Sequence, residues 1–156
     1  MRLPSIILCA AAAILNLSCT PTDHRREIEQ TRYDTLKKLQ AISYHRVGGQ
    51  ATVDESLFIL PNGAVKASSM ISSKMYGSGQ GTLSELQQLQ LATLFENWDQ
   101  LKPEYPSPRP SGKPATYAIQ FGEKKIVVAD DAENIPEELV RVRARLSGIF
   151  NDLVKK

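Results

Sequence analysis

The sequence predicts an α+β domain: an antiparallel sheet with two helices on one face, in the order β-β(-β)-α-β-β-α. Three observations predict it. Two pairs of alternating apolar segments are each joined by a short turn containing Gly, the pattern of hairpins. Two further segments carry apolar residues at helical spacing. Each helical segment follows a run of strands instead of a single strand, which segregates the helices to one side of the sheet. No period of 20–50 residues recurs, so the chain is not a repeat protein.

The elements follow in chain order. Ile42, Tyr44 and Arg46 alternate with Ser43, His45 and Val47 as in a half-buried strand, and Gly48-Gly49 ends it. A second strand spans Thr52 to Leu60. Pro61-Asn62-Gly63 then supplies a hairpin turn, and Ala64 to Ile71 is the return strand. Lys74–Gly81 adds an edge strand leading into a Gly-rich bend. Ser84 with Gln87 reads as a capping box opening a helix. Leu91, Leu94, Trp98 and Leu101 give that helix an apolar face, which Phe95 broadens. Five prolines in Pro103–Pro114 predict an extended, stiff loop. Tyr117, Ile119 and Phe121 alternate in the next strand, and Gly122-Glu123 turns the chain into Lys125–Ala129. Asp130, Asp131 and Glu133 form an acidic connection to the last helix. There Asn134 is the expected N-cap, with Pro136 and two acids in the first turn. Ile135, Leu139, Val142, Leu146, Ile149, Phe150 and Leu153 make the cleanest apolar stripe in the chain.

Ahead of this domain stands a leader. Arg2 precedes an apolar run from Ile6 to Leu15, followed by Asn16, Leu17 and Ser18. A short basic start, an apolar middle and a small residue before the cut are the marks of a secretory signal peptide. A membrane-spanning helix needs roughly 20 apolar residues, and Pro4 and Asn16 interrupt a run already shorter than that. The expected division is therefore 1–18 signal peptide, 19–40 modified cysteine and charged spacer, and 41–156 a single domain. The spacer, which can hold helix, is dense in charge, and its apolar residues Ile28, Leu36 and Leu39 are too sparse for a buried stripe.

Length and composition fit one domain. The chain has 156 residues, 42% of them apolar and 23% charged, with a formal net charge of +2. Such a balance is no nucleic-acid footprint, since basic binders carry a strong excess on one face. Two cysteines, Cys9 and Cys19, do not make the disulfide framework of a small secreted scaffold.

Catalytic and ligand-binding motifs are scarce. The two histidines, His24 and His45, form no zinc-ligand spacing, so neither a metal nor another cofactor is expected. No Gly-x-Ser-x-Gly turn presents a nucleophile to His45, which reads as a surface histidine. Gly77-Ser78-Gly79-Gln80-Gly81 lacks the Gly-Lys-Ser/Thr ending of a phosphate loop and reads as a flexible bend. Asp130, Asp131 and Glu133 lack the central Gly of a calcium loop and read as helix-capping acids. Arg141, Arg143 and Arg145 read as a solvated surface. The chain is not expected to be an enzyme, and no small-molecule substrate is evident.

Two resemblances add to this reading. Leu15-Asn16-Leu17-Ser18-Cys19 resembles the lipobox of bacterial lipoproteins, with Asn16 standing where that family usually has an aliphatic residue. The resemblance implies lipid on Cys19 and export to the cell envelope. Thr20 supplies no Asp retention signal, so the outer membrane is favoured if the host has two. One acyl chain anchors only marginally and several anchor firmly. The domain itself resembles the emfourin family, small bacterial inhibitors of protealysin-like metalloproteases. Ile42-Ser43-Tyr44-His45-Arg46-Val47-Gly48-Gly49 matches its opening strand and Gly-Gly turn. Leu91, Phe95, Tyr117-Ala118-Ile119, Val127-Val128, Pro136 and Leu139 follow in order. Gln50 departs from it, standing where the family typically has Phe. This resemblance implies a non-catalytic binding domain, with an envelope or secreted protease as one partner class. The candidate partner-binding loops are Gly48, Gly49 and Gln50, continuing to Thr52, and the Pro-rich loop with Tyr105 and Arg109. A structural or assembly lipoprotein with no inhibitory role is the alternative.

Overall fold

Strand by strand, the buried residues fall on one side of a single sheet. In the computed structural model, which describes residues 21–49, 52–109 and 114–154, the chain runs α1 (Pro21–Lys37), β1 (Ile42–Gly48), β2 (Val53–Ile59), β3 (Ala64–Ile71), β4 (Lys74–Thr82), α2 (Glu85–Leu94), β5 (Glu104–Tyr105), β6 (Thr116–Phe121), β7 (Lys124–Ala129) and α3 (Glu137–Val154). The seven strands lie in the order β4-β3-β2-β1-β6-β7-β5. All neighbours are antiparallel except β5 and β7, which run parallel. The fold is α+β.

The register explains the core. Tyr44 sits opposite Leu57 and Ile119, and Ile119 sits opposite Ile126, so one cross-strand row is apolar throughout. All four are buried. Because side chains alternate across a strand, the residues between them face the other way. That second face carries Ser43, His45, Ser56, Phe58, Lys66 and Gln120, none of which is buried. Helices α2 and α3 cover the apolar face. Leu139, Val142, Leu146, Ile149 and Phe150 bury as the stripe on α3 requires, and Leu91, Ala92, Phe95 and Trp98 close the other end. Phe95 stacks on Phe121 with ring centroids 4.5 Å apart. The capping box forms, with the Gln87 N–H donating to Ser84 Oγ and the Ser84 N–H donating to Gln87 Oε1.

Several expectations are corrected. The charged segment ahead of Ala41 is helical over Pro21–Lys37, supported by (i, i+4) pairs such as Arg25–Glu29. Arg32 reaches Glu85 of α2 at 2.6 Å, and Leu39 is buried in the core, so the folded unit begins ahead of Ala41. The first run holds four strands, the expected edge strand at Lys74–Gly81 among them, where the written order allowed two or three. The Gly-rich stretch is not a bend, since Gly77, Gly79 and Gly81 all belong to β4. Helix α2 stops at Leu94, and Trp98 lies in a separate 3-10 turn, where its indole N–H donates to the Lys124 carbonyl. Asn134 is not an N-cap. Its φ of +56° is left-handed rather than extended, and the Pro136 carbonyl accepts the first helical N–H groups, from Leu139 and Val140.

Candidate protein-binding rim

The candidate loops are placed by the ends of four strands. Val47 of β1 pairs with Asp54 and Thr116, and Thr116 pairs with Ala129, so the turns beyond these residues share one end of the sheet. The β1–β2 turn opens with Gly48 and Gly49 at φ +98° and +78°, values that suit only residues without a Cβ. A Cβ on Gly48 would lie 3.5 Å from the Pro114 carbonyl, and one on Gly49 would lie 3.6 Å from the Ala115 side chain. The Gly-Gly turn and the end of the Pro-rich loop are therefore neighbours. Thr52, itself at φ +46°, closes the turn by donating its N–H to the Gly49 carbonyl and accepting from Ser72.

Beneath this rim, on the helix-covered face, lies an ion network. Arg46 donates to Glu55 at 3.5 Å and to Asp130 at 3.0 Å, and Arg143 of α3 donates to the other Asp130 oxygen. The Asp130 N–H also donates to the Ala115 carbonyl at 2.8 Å. One residue thus ties β1, the Pro-rich loop and α3 together. The hydrogen bond to Asp130 holds the Arg46 guanidinium above its ordinary pKa, against partial burial, with help from Glu55. Arg143 lies over the Tyr117 ring, 4.2 Å from its centroid, a cation–π contact. Burial pushes the Tyr117 hydroxyl up, opposed by Arg143. Among the described residues, neither that hydroxyl nor Arg46 Nε has a hydrogen-bond partner. Tyr44, Arg46, Glu55, Arg143 and Ser147 line a cleft of about 250 Å³ here.

The expected site residues divide. Gly48 and Gly49 are at the rim. Arg109 is exposed, on a segment tied down by Ser107 Oγ, which accepts the Arg109 N–H and donates to Asp131 at 2.8 Å. Tyr105 is not available to a partner. It is 8% exposed in β5 opposite Val128, and its hydroxyl accepts the Lys102 N–H. An aromatic inside a Pro-rich segment read as loop, whereas here it extends the sheet. Gln50 and Cys19 lie outside the described residues, as do the leader and part of the Pro-rich loop.

Sequence reasoning missed Arg143 and Asp130. Arg143 falls between Leu139 and Leu146 on the apolar stripe, four residues from one and three from the other, and that placement marks it as facing inward. Asp130, expected from the sequence as a capping acid, is the hub of the network. His45 stands on the open sheet face, its Nε2 2.8 Å from Asp54 Oδ1. Among the described residues, no three acidic, histidine or cysteine side chains come together to hold a metal ion, and no helix is long and apolar enough to cross a membrane.

No protein-family model matches the chain, and no curated protein matches it.

Proposed function

We propose that the chain is an exported protein held at the cell envelope by lipid on Cys19, and that its domain acts by binding another protein, without catalysis. Inhibition of a metalloprotease is the specific form of this reading, through the likeness to emfourins. The observation that carries the binding role is the rim, where Gly48-Gly49 and Pro114-Ala115 stand side by side over the Arg46–Asp130–Arg143 network. Loops fixed in advance lose less entropy on docking, and binding residues concentrate on loops that a rigid scaffold positions.

The test is to titrate the purified protein into a thermolysin-like protease and follow peptide hydrolysis. Inhibition that saturates near one equivalent and is lost on replacing Gly48 and Gly49 by Val supports the inhibitor form. Full activity at a hundredfold excess ends it for that protease class.

A further inference from the structure

The outer edge of β4 is the strongest unassigned feature. Among the described residues, no strand pairs with β4 on the side away from β3. Every second residue there turns its N–H and C=O outward, which is a template for another strand. The stretch Gly77–Thr82 holds no charge and no proline, the usual devices that blunt an edge. Extended backbone is the occupant that satisfies such a row.

The side chains say whose backbone it is. Gly77 and Gly79 face the end of α3, where added Cβ atoms would meet Val154 and Leu153. Ser78 and Gln80 therefore face the open side. A bulge opposite Met70 sets Met75 and Tyr76 on that same open side at the start of the strand. They are the two most exposed large apolar residues of the described chain, 65% and 73% exposed. At the other end of β4, on the same face, Phe58, Leu60, Ala64, Lys66 and Gln80 line a cleft of about 600 Å³. One end of the strand carries a projection and the other end a recess.

We infer that β4 is a self-association edge, pairing antiparallel with β4 of a second copy about a two-fold axis through the Ser78 pair. That symmetry sets the Met75–Tyr76 projection of each copy beside Gln80 and Gly81, at the β4 side of the other's recess, so one contact is made twice. It also keeps like faces together. The open faces join into one surface, and both copies of α3 lie on the other side. The Lys74 side chains fall at opposite ends of the paired strands, where they do not repel. This edge is separate from the Gly48–Ala115 rim and does not depend on what the rim binds.

The test uses the full chain with Ser78→Cys, treated with a short bis-maleimide and resolved on a denaturing gel. Wild type reports the background from Cys9 and Cys19. Lys125→Cys, on β7 toward the opposite edge, is the control site. Dimer from Ser78→Cys at least tenfold above both supports the inference. Adding Tyr76→Ser or Gln80→Lys is expected to cut that yield tenfold or more while the melting temperature stays within a few degrees. Dimer yield at the control level, equal cross-linking at Lys125→Cys, or cross-linking only to a different protein overturns it.

Discussion

Arg46 and Asp130 stand 84 positions apart in the chain and 3.0 Å apart in the fold. Arg46 sits on a central strand and Asp130 at the entrance to the last helical connection, and Ala115, which neighbours Gly49, is bonded to Asp130. Asp130 accepts from two arginines, each about one third exposed, and donates its N–H to Ala115.

Asp130→Ala is expected to lower the unfolding free energy by about 1–3 kcal/mol, because two partly buried guanidinium groups lose their carboxylate. Urea denaturation measures it. Arg46→Met made on top of Asp130→Ala should cost less than Arg46→Met alone, since the orphaned cation goes with it. Strict additivity of the two would show that the pair is not coupled.

The hydroxyl of Tyr117 gives a pH prediction. Its pKa is raised above the ordinary value of 10.0 by burial. Below that ordinary value the group is protonated in both folded and unfolded chains, and its contribution to stability is complete. As pH rises toward the raised folded value, the unfolded chain ionises first, and stability is lost. Tyr117→Phe should flatten this alkaline loss. At neutral pH it should leave stability unchanged or raise it by up to about 1 kcal/mol, because the deleted oxygen has no partner. Thermal melts from pH 7 to 11 decide the matter.

Two glycines predict opposite outcomes. Gly79→Ala drives a Cβ into the Leu153 carbonyl at the end of α3, whereas a Cβ on Gly148 meets nothing within 4 Å. The first should destabilise by about 1–3 kcal/mol. The second should stabilise by about 0.5–1 kcal/mol through helix propensity. Parallel denaturant curves compare them.

The β3–β4 turn is improvable. Ser72 and Ser73 hold φ of +49° and +65°, where Asn and Gly sit at less cost. Replacing Ser72-Ser73 by Asn-Gly is expected to raise stability by about 1 kcal/mol. A lower melting temperature would contradict the turn geometry.

Legibility in the sequence tracked how local each signal was. Ser84 and Gln87 satisfy each other within one turn, and the Leu139–Leu153 stripe repeats along one helix, so both could be read without knowing what they touch. Gly63 likewise turns β2 into β3 on its own, at φ +83°. What could not be read depends on distant partners. Tyr105 looks like a loop aromatic until Val128 of β7 accepts it as a strand neighbour. Gly77, Gly79 and Gly81 look like a flexible run until α3 packs on them and requires the absence of side chains. Arg32 makes its long-range ion pair with α2, and only then does the charged segment ahead of Ala41 join the fold. The rim shows both sides. Gly48 and Gly49 signal a turn by themselves, while Arg143 and Asp130 gain their role only from each other and from Arg46.

Cys19 and the lipid it is proposed to carry are tested most directly by labelling cells with a clickable palmitate and separating membrane from soluble fractions. The wild-type chain is predicted to be labelled and membrane-bound, and Cys19→Ala unlabelled and shifted to soluble or precursor fractions. Wild-type protein recovered soluble, unlabelled and cut away from Cys19 would contradict it.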